Sequence, residues 1–192
     1  MLALISLTIL VLNAQADHRA HFETESNRQK IPDMKGEIFL RENGDVRINT
    51  DTPTSISVLM KKSDKKAVVL IHLMKMMGDS DVKKYESQVP ACVGKAIESC
   101  LAQTGFKKIR SEKTKAGVVE SVYEKSNKTG RAKLWVPENS KEPFPSKMVI
   151  ESNDGLIVTT RFSDPKEQTL DEKLFSVPSG YHKSSGLSSL IR

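Results

Sequence analysis

The sequence predicts a mainly β protein with one or two helices, an α+β arrangement in which a curved antiparallel sheet wraps a helix. Three observations carry that prediction. Apolar residues recur at every second position through most of the chain, the period of strands. The short runs follow one another across tight turns, the pattern of an antiparallel meander. One stretch, residues 81–103, instead spaces its apolar residues by three and four. With 192 residues the chain is long enough for one packed core and short for several.

Taken in order, residues 1–16 read as a secretory signal. Leu2 to Leu12 is an apolar run relieved only by Ser6 and Thr8. It is shorter than the about 20 residues a membrane-spanning helix needs. Ala14-Gln15-Ala16 follows, a small-x-small pattern that predicts cleavage before Asp17 and export to a periplasmic or secreted location. Residues 17–34, with Glu23 and Glu25, read as a mobile leader, 35–183 as the single domain and 184–192 as a flexible Ser-rich tail.

Within the domain, residues 37–41 and 45–49 flank Asn43-Gly44, the dipeptide of a type I′ hairpin turn. Residues 55–61 place Ile56, Val58 and Met60 on one face, and 67–73 are apolar on both faces as far as His72, which suits a strand covered on both sides. Further strands are predicted at 118–124, 131–136, 146–151 and 156–162, with turns at 126–130 and 153–155. The helix over 81–103 is divided at Pro90, which lacks the N–H a helix interior requires, and Gly105 supplies its stop. The segment Asp164 to Lys173, with Asp164-Pro165-Lys166-Glu167 as cap, first-turn proline and acidic residues and then Leu170, predicts one helical turn before a terminal strand.

Charge is uneven. The chain carries +6 in all, and residues 106–133 alone hold nine Lys or Arg against Glu112, Glu120 and Glu124. Such a strip, with Lys107, Lys108, Arg110 and Lys133, could meet anionic headgroups at a membrane surface. It could equally be a solvated face whose lysines discourage edge pairing. Aromatic residues make up 5% of the chain, too few for the stacking platforms of nucleic-acid binding.

Cys92 and Cys100 are the only cysteines. In an exported chain an even pair reads as a disulfide. A straight helix would hold their Cα atoms about 12 Å apart, beyond the about 4.4–6.8 Å of a bridge, so bridging requires a bend near Pro90 or Gly94; two small core residues are the alternative. His72, Met74 and Met76 share a strand face in this reading and offer imidazole and thioether ligands to copper, or a flexible apolar lining. His18, His21, His72 and His182 are scattered, and no serine carries a nucleophile-elbow pattern, so a non-enzymatic, cofactor-free role is expected.

Several segments together resemble a known family. They are Lys35-Gly36-Glu37-Ile38-Phe39-Leu40 with Arg47 on the returning strand, Asp64-Lys65-Lys66-Ala67-Val68-Val69-Leu70, Ala132-Lys133-Leu134-Trp135-Val136, and the closing Leu174-Phe175-Ser176-Val177-Pro178-Ser179-Gly180-Tyr181. This order resembles the exported domains of unknown function that share the fold of the LolA-like outer-membrane lipoprotein carriers. Glu142-Pro143-Phe144-Pro145 departs from the Gly-Leu-Pro turn usual after the tryptophan strand. The resemblance implies an incomplete barrel with an apolar concave face under a helix, a shape that holds an acyl chain, a lipid or a lipidated partner protein. Strand parity nominates Ile56, Val58, Met60, Val69, Ile71, Leu134 and Val149 as its lining, and the opposite parity stays open where both faces are apolar, as at Val68, Leu70 and Met148. A structural or interaction protein of the envelope with no small ligand is the alternative, and a copper-handling protein a third. A monomer is expected.

Overall fold

The structure, a computed structural model, describes residues 16–64, 66–81, 97–138, 140 and 142–184. Most of the signal segment, Cys92, the first part of the expected helix and residues 185–192 lie outside the described residues.

Among the described residues, twelve strands form one open, curved sheet. They are β1 (His18–Ser26), β2 (Met34–Leu40), β3 (Val46–Thr52), β4 (Ile56–Met60), β5 (Lys66–Ile71), β6 (Met76–Asp81), β7 (Lys107–Lys113), β8 (Val119–Asn127), β9 (Gly130–Pro137), β10 (Lys147–Ser152), β11 (Ile157–Glu167) and β12 (His182–Lys183). Their order is β12-β6-β5-β4-β3-β2-β1-β11-β10-β9-β8-β7. The two halves of the chain are each an antiparallel meander, and β1 and β11 join them; of these strands only β12 runs parallel to its neighbour, β6. A helix, α1 (Ile97–Gln103), precedes β7, and a 3-10 turn (Glu172–Phe175) precedes β12.

The meander and most strands follow the sequence expectation, and three details correct it. Residues 18–26, assigned above to a mobile leader, are β1 at the middle of the sheet, where Ala20 and Phe22 are buried. The hairpin at Asn43-Gly44 closes without the I′ geometry: Gly44 N–H donates to Arg41 carbonyl at 2.9 Å, and Gly44 alone takes the left-handed region, at φ 89°. Asn43 Oδ1 accepts instead from Asp45 N–H at 2.9 Å. Residues 164–167 are not helical. β11 continues through them, with Asp164 and Pro165 both opposite Ala20, so the proline sits in a bulge where no ladder N–H is needed. The helical turn comes later, capped by Asp171, whose side chain accepts from Lys173 N–H at 2.9 Å.

The expected stop of α1 holds. Gly105 lies at φ 86°, Phe106 N–H reaches Leu101 carbonyl at 2.9 Å and Gly105 N–H reaches Ala102 carbonyl at 3.2 Å, a Schellman ending. The helix packs Ile97, Cys100 and Leu101 against Phe106, Tyr123, Leu134, Val136 and Met148 of one sheet face, here called inner. The seven residues of α1 lie on the inner face over β8 to β10, and the earlier part of the helix expected to be wrapped lies outside the described residues.

A second cluster continues across the inner face of β1 to β3, where Phe22, Ile38, Leu40, Val46 and Ile48 are roofed by Phe144 of the β9–β10 connection. Phe162 packs against both clusters and stacks on Phe144, ring centroids 6.0 Å apart. On the outer face residues 168–183 run across the sheet and bury Leu170 and Phe175 against Phe39.

Candidate functional site

Ladder register decides which side chains share the inner face. Ile48 pairs with Val58, Val58 with Val69, and Ile56 with Ile71, so Ile56, Val58, Met60, Val69 and Ile71 form one apolar strip across β4 and β5. Met76, opposite Ile71, extends it onto β6. Ile56, Val58, Met60, Ile71 and Met76 are each half-buried, while Val69 is buried, and Val58 and Met60 also touch the central cluster. Five nominated lining residues therefore stand together.

The other two do not join that strip. Leu134 shares the inner face but is 0% exposed beneath α1, a core position. Val149 pairs with Lys133 and Thr159 on the outer face, so the strand parity taken for β10 is reversed: Met148 and Ile150 point inward. Sequence reasoning missed Phe22 because β1 offers only Ala20 and Phe22 as apolar alternates; Thr24, the next inward position, meets Thr160 at 2.9 Å by a hydroxyl pair.

The basic strip is divided and paired. Lys108 donates to Glu138 at 3.1 Å on the inner side, Arg110 to Glu112 at 3.0 Å on the outer side, and Lys133 lies 3.8 Å from both Glu124 and Glu151; Lys107 faces Glu124 across the β7–β8 ladder. Hydrogen bonds from Ser121, Ser111 and Lys108 hold the Glu138 carboxyl below its ordinary range. The Trp135 indole N–H does the same for Glu112, while Lys147 sits 3.6 Å above the Trp135 ring. Three of the four nominated cations, Lys108, Arg110 and Lys133, thus stand in ion pairs with carboxylates. A cleft of about 530 Å³ lined by Asp17, Arg41, Glu42 and Glu167 is too polar for an alkyl chain.

His72 does not meet the methionines. β5 ends at Ile71, and residues 72–75 form a turn with Lys75 at φ 47°, so strand parity no longer relates His72, Met74 and Met76. Ser57 Oγ donates to Asn49 Oδ1 at 2.7 Å and accepts from Arg47 at 3.1 Å. The consistent arrangement has His72 Nε2–H donating to Ser57 at 2.6 Å and Nδ1 accepting from the Tyr181 hydroxyl. Burial, then the Arg47 charge, push the His72 pKa down. Both ring nitrogens are engaged, so this arrangement leaves neither to a copper ion. A serine and histidine in contact also invite a nucleophile reading, but Ser57 is 0% exposed and its hydroxyl proton goes to Asn49, away from the histidine a nucleophile would need as base.

No protein-family model matches the sequence, and comparison with curated proteins finds no match. Solved structures do match. An uncharacterized conserved protein from Thermus thermophilus superposes with a TM-score of 0.62 at 11% identity, over 90% of this chain and 91% of that one. A LolA superfamily protein, NE2245 from Nitrosomonas europaea, superposes with a TM-score of 0.50 at 12% identity, over 86% of this chain and 92% of that one. The fold is LolA-like.

Proposed function

We propose that this protein is a non-enzymatic carrier that holds a hydrophobic ligand, an acyl chain or the lipidated end of a partner protein, against the inner face of β4 to β6. One observation carries the reading: Ile56, Val58, Met60, Ile71 and Met76 make a continuous apolar strip that remains half-accessible while the rest of the inner face is roofed by α1 and Phe144. Burying alkyl groups there is worth about 0.8 kcal/mol for each CH₂ removed from water. The LolA-like fold supports the reading, and an alkyl chain needs only surface and shape, with no catalytic group.

The proposal places the chain outside the cytoplasm, cleaved before Asp17 and bridged between Cys92 and Cys100. The intact mass of protein recovered from an expressing cell's exported fraction tests both features: a chain starting at Asp17 and lighter by two hydrogens is expected, and an uncleaved or fully reduced chain refutes the corresponding feature. For the carrier itself, mass spectrometry of organic extracts from natively purified protein should recover a lipid, and the protein should take up a fluorescent fatty acid. Neither lipid nor uptake would overturn the reading.

A further inference from the structure

The centre of the inner face is closed by the protein's own side chains, and their chemistry is that of an amphiphile. Phe144 fills the apolar cluster of Phe22, Ile38 and Ile48 and is 4% exposed. Two residues earlier, Glu142 Oε2 lies 3.4 Å from His18 Nδ1. His18, at the inner end of β1, is 5% exposed, and neither of these two buried atoms makes a hydrogen bond. A carboxylate thus stands beside an unsatisfied, deeply buried imidazole nitrogen, with an apolar group in a greasy cluster next to it. A buried polar atom left without a hydrogen bond is costly, so the native contact is a poor match for His18.

We propose that the centre of the inner face is a site for a free long-chain carboxylic acid, entered by displacing residues 142–144, with the ligand's carboxylate taking the place of Glu142 beside His18 and its alkyl chain that of Phe144. The inference rests on the carrier reading and gives it a ligand class. The chain would continue from the Phe144 position onto Val58 and Met60, which already border the same cluster. An unbranched chain can satisfy both ends at once, whereas an ester or alcohol gives His18 no anionic partner.

The test uses the full chain and two probes, pyrene-labelled hexadecanoic acid and its methyl ester, titrated against wild type, Phe144→Ala and His18→Leu. Wild type should bind the acid about tenfold more tightly than the ester. Phe144→Ala should bind the acid about tenfold more tightly than wild type, because the displacement is already made. His18→Leu should bind both probes alike. Hydrogen exchange on wild type needs no variant to fold: the Ser146 amide, which donates to Trp135 carbonyl at 2.9 Å, should exchange faster when the acid is saturating. Equal affinity of wild type for acid and ester, or Ser146 protection unchanged by the acid, overturns this site while a measurable affinity leaves the carrier reading standing. A wild type that takes up neither probe overturns both.

Discussion

Replacing Leu134 by alanine separates what holds the fold from what would hold a ligand. Leu134 is 0% exposed, between the strand below it and Ile97, Cys100 and Leu101 of α1. Truncation removes about three methylene equivalents at about 0.8 kcal/mol each. The void adds to this, because the site is closed by helix and sheet together, and leucine-to-alanine changes in such cores cost about 2–5 kcal/mol. A loss of about 3 kcal/mol is expected, lowering the melting temperature by roughly 6–12 °C for a chain of this size. Val58→Ala, at a half-buried inner-face position, should cost about 1 kcal/mol of stability. Its effect on the fluorescent fatty acid should be the larger one, about tenfold in Kd for the lost contact. Circular dichroism melts and urea titrations measure the first quantity and fluorescence titration the second. If Leu134→Ala lost less than about 1 kcal/mol, or weakened the probe more than Val58→Ala did, the division between roofed core and open strip would be wrong.

Two further outcomes follow from particular contacts. His72 is held neutral, its pKa pushed below 6.5 by burial and by Arg47, so the unfolded chain takes up the proton first as pH falls. The stability it contributes is complete above pH 6.5 and declines as pH drops through the window between that value and the lower folded one; urea midpoints should therefore fall less on acidification in His72→Gln than in wild type, and an identical decline would refute the holding of His72 in its neutral form by burial and Arg47. At Gly36 the objection is steric: a Cβ there would stand 1.9 Å from the Asn49 carbonyl oxygen, a backbone atom that cannot swing aside. Gly36→Ala should lose roughly 3 kcal/mol or more in the same titrations, and a near-neutral result would mean that β2 and β3 are further apart than described.

What could be read from the sequence follows from how loudly each element repeats its period. β4 and β5 alternate or saturate with Ile, Val, Leu and Met, and so the strip of Ile56, Val58, Met60, Val69 and Ile71 was legible from residue order alone. β1 was not, because only Ala20 and Phe22 of its inward positions are apolar, and His18 and Thr24 on either side of them break the alternation. Thr24 can face inward since it pairs with Thr160, and His18 lies beside Glu142 without a hydrogen bond; both are contacts between distant parts of the chain that no local pattern reveals. Val149 failed for a different reason. β10 is apolar at Met148, Val149 and Ile150 in succession, so period two is silent there and only pairing with Lys133 and Thr159 fixes its side. His72 and the methionines failed because the strand was carried past Ile71, where the ladder ends and the chain turns.

The outer face narrows where a ligand can lie. Over β2 to β5 it is crossed by residues 168–183, pinned by Phe175 against Phe39, by Arg41 over the Phe175 ring at 5.4 Å, by Arg47 donating to Leu174 carbonyl, and by Tyr181 on His72. Over β8 to β10 it is a lattice of ion pairs around Trp135, with Arg131 donating to Glu151 and Lys133 between two carboxylates. An alkyl chain on that face would have to break paired charges without replacing them, at the cost of leaving each partner uncompensated. On the inner face it displaces apolar surface, a histidine–glutamate contact that lacks hydrogen-bond geometry and the Glu142 N–H bond to Ser140 at 3.1 Å, with no paired charge left bare on a strand. That asymmetry, more than the presence of greasy residues as such, is why the carrier reading assigns the ligand to the side that α1 and Phe144 already cover in part.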